Sequence, residues 1–330
     1  NPGFGHLVRT TKTFRPTLVN EAIFAFTKMD RTFDFVQPEL VARSKMGNPP
    51  QWYPDSNMPR DYIPSVAFGG QPASPVSATI AKSVPHHYGN PVYAVTDNLT
   101  AIRGAHSLKA GVYIERAALD MRSEVANWRG AFDFSRDTNN PFDSNHSYAN
   151  ALLGNFASYT ETTRRIEARL LQRNVEWYLQ DNWRAGKRLT LDFGLRFYHM
   201  SPMFDPEGVT ASLNPALYDR GKAPALYVPA LDAGGRRVAK DPLTGALAAP
   251  PLIGQFVPGS GDFANGSRVA GRDYPQGLYT RSGLAFGPRF GFAYDLFGNG
   301  RTALRAGFGT FKDTANADPM QQTIGNPPVT

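Results

Sequence analysis

Residues Arg173–Ser201 have the sequence RNVEWYLQDNWRAGKRLTLDFGLRFYHMS, which is the pattern of two β-strands joined by one tight turn. In the second half every other residue from Leu189 to Phe197 is apolar, and the residues between them are mostly polar. Because a strand places alternate side chains on opposite faces, each strand should have one apolar and one polar face. The connection Arg184–Lys187 is short and polar and contains a glycine, as is typical of a hairpin turn.

The remaining chain decides what covers the apolar face. Similar hairpins are predicted around Pro16, Gly104 and Asn299, and the connections between hairpins, about 31–89, 123–158 and 202–283, are long and lose the alternation. Short turns at one end and long loops at the other are typical of an outer-membrane barrel. A soluble sandwich would show turn signals about every 8–12 residues at both ends. The pattern therefore favours strands whose apolar face meets lipid.

The second long connection contains two short patterned segments. Gly130–Ser135 (GAFDFS) predicts a small strand, and Ser147–Gly154 (SYANALLG) predicts a short helix that ends on glycine. We also expect the first strand of the Arg173–Ser201 hairpin to begin as early as Tyr159.

Composition narrows the functional classes. Hydrophobic residues make up 41% of the 330 residues, too many for a disordered chain, yet no run approaches the about 18 to 20 apolar residues of a membrane helix. The net charge of +7 comes from dispersed Lys and Arg, so we predict no nucleic-acid partner. The absence of cysteine excludes disulfides, thiolate metal sites and a cysteine nucleophile.

The sequence lacks the signatures of catalysis. It contains no nucleophile elbow, zinc-binding helix motif or phosphate-binding loop, so we predict neither an enzyme nor a cofactor. Paired carboxylates such as Asp133 and Asp137 are typical of a solvated loop. The adjacent His86 and His87 would point to opposite faces of a strand, which argues against a shared metal ion. No metal site is therefore predicted.

Four stretches resemble a known family. They are TFRPTLVNE (Thr13–Glu21), HSLKAGV (His106–Val112), WYLQDNWRAGKRLTLDFGLRF (Trp177–Phe197) and GPRFGFAYDLFGNGRTALRAGFGTF (Gly287–Phe311). In order and spacing they resemble the C-terminal barrel of TonB-dependent outer-membrane receptors, specifically the Oar-like receptors. The third and fourth stretches are the most specific, and together the four span nearly the whole chain.

The resemblance implies a barrel of about 22 strands that encloses a plug domain. We expect this chain to be all-β, an antiparallel transmembrane β-barrel portion of about eight strands that forms an incomplete barrel, with short periplasmic turns and long extracellular loops. We expect residues 1–330 to be a fragment of the receptor barrel without the plug, in the outer membrane of a Gram-negative type of cell. The implied partners are outer-membrane lipid and the TonB–ExbB–ExbD energy system, which acts through the plug region of the parent protein.

The function implied is active import of a bulky external ligand such as a siderophore, glycan or peptide. The alternative is a soluble or secreted β-sandwich binding module, in which a second sheet would cover the apolar face. We predict candidate ligand-binding aromatic residues in the long loops, namely Trp52, Tyr53, Tyr62 and Trp128. Polar side chains that would face the lumen are Lys109, Glu115, Glu176, Tyr178, Gln180, Asp192, Arg196 and Arg305.

Overall fold

A computed structural model describes residues 2–47, 62–73, 75–76, 86–122, 129–161, 166–277, 283–314 and 318–329. The strands are β1 Gly3–Arg15, β2 Leu18–Phe33, β3 Ser65–Ala67, β4 His86–Gly89, β5 Val92–Arg103, β6 His106–Arg122, β7 Ala131–Asp133, β8 Ser158–Thr160, β9 Glu167–Arg184, β10 Leu189–Met200, β11 Ala211–Leu213, β12 Val228–Leu231, β13 Arg237–Lys240, β14 Leu247–Ala248, β15 Ser267–Val269, β16 Ala285–Asp295 and β17 Ala303–Gly309. The α-helices are α1 Ser147–Leu153 and α2 Asp318–Gln321, and short 3-10 helices span Pro38–Val41, Arg43–Met46, Pro215–Leu217, Arg220–Lys222 and Pro250–Leu252.

The main sheet is antiparallel throughout and contains nine strands in the order β1-β2-(β4, β5)-β6-β9-β10-β16-β17. β4 and β5 lie one after the other between β2 and β6, and the break between them falls at Asn90 and Pro91. Proline has no N–H to donate to a sheet ladder, which accounts for an interruption at this point. The sheet therefore has eight strand positions, as the sequence predicts.

The four tight turns lie at one end of the sheet. They join β1 to β2, β5 to β6, β9 to β10 and β16 to β17, and successive hairpins pair side by side. Next to the turns the register matches Leu18 with Ala101, His106 with Trp183, and Leu189 with Tyr294. The long connections leave from the opposite end. The predicted arrangement, with short turns at one rim and long loops at the other, is confirmed.

The sheet is open within the residues that the structure describes. β1 pairs only with β2, and β17 pairs only with β16. Each outer strand therefore presents one row of backbone N–H and C=O groups without a ladder partner. No helix in the described ranges is long and apolar enough to cross a membrane.

The long connections contain more structure than their composition suggests. β3, β7 and β8 form one small sheet, β11 and β15 a second, and β12, β13 and β14 a third. The predictions of a strand within Gly130–Ser135 and of a helix that ends on Gly154 are confirmed, and Gly154 has a φ of 76°. The expectation for Tyr159 is wrong: this residue belongs to β8, while β9 begins at Glu167. β8 pairs with β7, because a local partner was present in the same loop.

The main buried cluster lies where the long loops meet the sheet. It combines Leu119 and Met121 of β6 with Leu170 of β9, Met203 of the following loop and Met320 of α2. The C-terminal segment is held there by an isolated bridge between Thr210 and Ile324. This packing fixes the third loop and the segment after β17 against one face of the sheet.

Candidate functional site

One face of the main sheet is predominantly apolar from β2 to β17. Leu191 of β10 is registered with Trp183 of β9 and Phe292 of β16, and the same alternation continues outwards in both directions. We call this surface the apolar face; it also includes Phe24, Val95, Leu99, Leu108, Val112, Leu179, Phe193, Leu195, Phe290 and Phe308. Several members are openly exposed, including Leu179 at 58% and Phe308 at 70%. Large apolar side chains in this arrangement are suited to lipid.

Two acidic residues interrupt the apolar face, and each has a polar partner on a neighbouring strand. The Asn20 side-chain amide donates to the Asp97 carboxylate at 2.8 Å. His106 Nδ1 lies 2.6 Å from Asp181 Oδ2, and the Trp183 ring stacks on the His106 ring with centroids 5.5 Å apart. Pairing reduces the cost of placing a polar group beside apolar ones. The sequence shows both interruptions, but strand register supplies the partners.

The opposite surface, here called the polar face, carries all eight side chains predicted to face a lumen. Arg196 of β10 forms an ion pair with Glu176 of β9 at 2.6 Å. The same guanidinium lies over the rings of Tyr178 and Tyr198, 5.7 Å from each centroid. The pair is partly buried, so its geometry is held by aromatic neighbours as well as by charge.

A second group of polar contacts lies beside this ion pair. The Asn174 amide donates to Glu115 at 2.9 Å, and the Tyr113 hydroxyl donates to the same carboxylate at 2.5 Å. The Tyr178 hydroxyl of β9 reaches across β6 and donates to Asn98 of β5 at 2.8 Å. These contacts link β5, β6, β9 and β10 across the polar face. Together with the Arg196–Glu176 pair they make up a polar network, which could not be predicted because the sequence does not show the strand register.

The remaining lumen candidates lie outside this network. Lys109 is registered with Gln180, and Asp192 accepts a hydrogen bond from the Asn182 amide at 2.8 Å. Arg305 lies on β17, the outermost strand, where it is registered with Ala293 of β16. The predicted set therefore shares a face but does not converge on a single point.

The loop aromatic residues give a different result. Trp52, Tyr53 and Trp128 lie outside the described residues. Tyr62 is only 2% exposed, its hydroxyl donates to Asp34 at 2.7 Å, and its ring packs edge-on against Phe35. The expectation that Tyr62 is an exposed loop aromatic is wrong, because the residue is buried within its own loop, and its contact with a ligand stays a prediction.

The two adjacent histidines lie on opposite faces of the sheet, as strand geometry predicts. His86 is registered with Phe33 and lies on the polar face, whereas His87 is registered with Thr32 and lies on the other side. Within the part of the chain that the structure describes, no group of three or more His, Asp or Glu side chains is arranged to hold a metal ion.

A cluster of charged side chains follows the apolar face at its long-loop end. Lys28 pairs with Asp30 at 2.8 Å, and Arg169 pairs with Asp120 at 3.2 Å. With Glu207 of the third loop they line a cavity of about 370 Å³. Burial, together with the nearby Asp205 carboxylate, raises the pKa of Glu207. The charges mark where the apolar band ends, and β9 with its 18 residues is longer than the about 9–11 that a tilted strand needs to cross a bilayer.

The sequence matches a known protein family and several solved structures. The model of a family described as an outer membrane beta barrel domain matches residues 2–330. Solved structures also match, among them one described as Copper transporter OprC, with a TM-score of 0.42 and 14% sequence identity. That match covers 94% of this chain and 32% of the transporter chain, so this chain spans about a third of that protein's length. No curated protein matches the sequence.

Proposed function

Because the chain belongs to the outer membrane beta barrel domain family, we propose that it forms part of the wall of an importer that TonB energises. The protein is an outer-membrane β-barrel protein, and the strands of its main sheet are antiparallel. In the proposed importer an external ligand binds from the long-loop side and passes through a plugged barrel. No bond is made or broken in this process, so it requires no catalytic group.

The observation that carries this proposal is the division of the main sheet into an apolar face and a polar face. The apolar face is exposed, and the polar face holds the network around Arg196 and Glu176. In an outer-membrane barrel the apolar face meets lipid and the polar face lines the interior. A β-sandwich would instead bury the apolar face against a second sheet. The exposure of Leu179 and Phe290 in the described structure favours the barrel.

The open edges support the proposal that the wall is larger than this sheet. β1 and β17 each have an unpaired edge within the described residues, and a barrel spans the membrane only when every strand edge is paired. We propose that further strands of a longer protein complete the barrel, that the polar network contacts a plug domain, and that the TonB–ExbB–ExbD system moves the plug. The proposed cargo is a bulky external ligand such as a siderophore, glycan or peptide.

The test uses the full-length protein in a Gram-negative host. Outer-membrane fractions should contain a heat-modifiable band, and chemical cross-linking in cells should yield an adduct with TonB. A host that lacks TonB is the control for the adduct. If the protein assembles in the outer membrane but gives no TonB adduct under conditions where a known receptor does, the proposed importer is wrong while the barrel assignment stands.

A further inference from the structure

The polar face contains a cavity at its long-loop end that differs from the network around Arg196. It has a volume of about 540 Å³ and lies between β2, β4 and β6, with Met203 of the third loop and Gln321 of α2 beside it. This volume is within the range of about 300–1,000 Å³ that is usual for small-molecule sites. The cavity lies at the long-loop end of the polar face, the end from which the proposed importer takes up its ligand.

Aromatic rings form one wall of this cavity. The Phe33 and His86 rings are 4.8 Å apart, and the His86 and Tyr88 rings meet edge-to-face at 4.6 Å. All three rings line the cavity, and aromatic rings pack favourably against a further aromatic ring in offset or edge-to-face geometry. The wall therefore favours a flat aromatic ligand over a flexible polar one.

Arg31 supplies the charge. Its guanidinium lies 5.2 Å from the Tyr88 ring centroid, and the buried Nε has no hydrogen-bond partner. Among the described residues Arg31 forms no ion pair, and no acidic residue lines the cavity. A buried Nε–H donor without a hydrogen-bond partner costs free energy, and a carboxylate oxygen placed beside it would offset that cost with a charge-assisted hydrogen bond.

Asn90 adds a second polar group. Its side-chain oxygen is buried and has no hydrogen-bond partner in the part of the chain that the structure describes. Asn90 and Arg31 line the same cavity, and rotation of the amide by a half-turn would place N–H donors where the unpaired oxygen now lies. A cation and an adjustable amide beside an aromatic wall together define the ligand.

We propose that this cavity binds a small aromatic carboxylate, with the carboxylate at Arg31 and Asn90 and the ring against Phe33, His86 and Tyr88. The inference rests on the proposed function, because it takes the polar face as the inside of an importer. It deepens that function by naming the chemical class of a ligand, or of the part of a larger ligand that enters the cavity.

The experiment measures binding of 2-naphthoate to the full-length protein purified from outer membranes in detergent, by titration calorimetry. Two related probes separate the contributions: 2-naphthylmethylamine reverses the charge, and decahydro-2-naphthoate removes aromaticity. We expect saturable binding of 2-naphthoate and at least about tenfold weaker binding of either other probe. Equal binding of the amine, or no saturable binding of 2-naphthoate, would overturn the proposal.

Variants assign the binding to the cavity. Arg31→Gln should weaken 2-naphthoate binding about tenfold or more, Arg31→Lys should retain part of it, and Tyr88→Leu should weaken it. Arg116→Gln makes the same change of charge on the apolar side of β6 and should leave binding unchanged. If Arg31→Gln does not assemble, as judged by heat-modifiable mobility, the affinities of Arg31→Lys and Tyr88→Leu for 2-naphthoate, each compared with that of the wild type, decide whether the ligand binds in this cavity.

Two further outcomes complete the test. Unaltered binding in both Arg31→Lys and Tyr88→Leu, or equal effects of Arg31→Gln and Arg116→Gln, would overturn the assignment. The TonB adduct in cells is measured without this ligand, so loss of that adduct contradicts the importer and failure of 2-naphthoate binding contradicts only the cavity.

Discussion

The side chains of Leu191 and Thr190 are neighbours on β10 but lie on opposite faces of the sheet. Leu191 is registered with Trp183 and Phe292 on the apolar face, and Thr190 is registered with Arg184 and Ala293 on the polar face. A one-residue change of position along a strand therefore exchanges lipid for a hydrated surface.

We expect Leu191→Arg to reduce the amount of assembled barrel far more than Thr190→Arg. An arginine on the lipid face costs about 2 to 4 kcal/mol at the bilayer centre and less towards the interfaces, whereas on the polar face it stays hydrated. Heat-modifiable mobility of the full-length protein in outer-membrane fractions measures assembly. Equal assembly of the two variants would show that the two faces are assigned the wrong way round.

Gly111 gives a second test at a single residue. A Cβ atom at this position would lie 2.5 Å from both Asn98 Oδ1 and Tyr178 Cε1, and 2.9 Å from the Asp97 carbonyl oxygen. The absence of a side chain thus allows the Tyr178 hydroxyl to reach Asn98 across β6. Glycine is required at this position because the Asn98 and Tyr178 side chains leave no room for a Cβ atom.

Gly111→Ala should lower the free energy of unfolding by about 1 to 3 kcal/mol, since an added methyl group overpacks the site. Gly307→Ala is the matched control: it lies on the same face, and the nearest atom to its Cβ would be 3.5 Å away. Guanidinium unfolding of the full-length protein in detergent provides the comparison. Identical midpoints for the two variants would contradict the crowding inferred at Gly111.

Among the smaller elements, the β12–β13 hairpin depends on one carboxylate. Asp232 accepts hydrogen bonds from the backbone N–H groups of Arg236 and Gly234, each at 2.9 Å, and its other oxygen accepts from the Arg236 guanidinium. The backbone N–H of Arg236, followed by its side chain, holds the pKa of Asp232 below its ordinary value. The ionised form therefore stabilises the turn.

The pKa of Asp232 is lower in the folded protein than in the unfolded chain. The stabilisation by its carboxylate is therefore present above the unfolded-state pKa and is lost as the pH falls through the folded-state pKa. We expect Asp232→Asn to increase amide exchange in β12 and β13 at neutral pH, and the difference from wild type to disappear in acid. Hydrogen–deuterium exchange, corrected for intrinsic rates, measures this. Asp262→Asn, a neutral substitution at another loop carboxylate, should leave β12 and β13 unchanged, and a difference that persists undiminished in acid would contradict the role of Asp232.

For the molecule as a whole, the register places the tight turns and the long loops at opposite ends of one sheet. In an outer-membrane barrel the short turns are periplasmic and the long loops are outside the cell. The chain contains no cysteine, so a single introduced thiol reports the side on which it lies.

We expect Ala233→Cys, in the β12–β13 turn, to react with a membrane-impermeant maleimide added to intact cells. Ala105→Cys, in the β5–β6 turn, should react only after the outer membrane is permeabilised. Both positions are exposed in the structure, so a difference in labelling reports the compartment. Labelling of Ala105→Cys in intact cells at the rate of Ala233→Cys would reverse the proposed orientation.

The sequence by itself determined the antiparallel hairpins, the positions of the tight turns and the two faces of each strand. These features depend on local chemistry. The alternation from Leu189 to Phe197 repeats every two residues, which matches a strand and not a helix, and a Gly-containing polar connection such as Arg184–Lys187 suits a turn. For the same reason the eight lumen candidates could all be placed on one face from sequence. The short helix that ends on Gly154 was predictable because glycine readily adopts the φ of 76° found there.

Tertiary structure alone decided which distant residues meet. The partners of Asp97 and Asp181, the link from Tyr178 to Asn98, and the cavity beside Arg31 each join residues from strands whose register is not written in any one segment. Tyr159 was assigned to the wrong strand because periodicity identifies a strand but not its partner. It belongs to β8, which pairs with β7 of the same loop. The exposure of Tyr62 was misjudged because burial depends on the fold of the whole loop. Local pattern fixes which way a side chain points, and only long-range packing fixes what it touches.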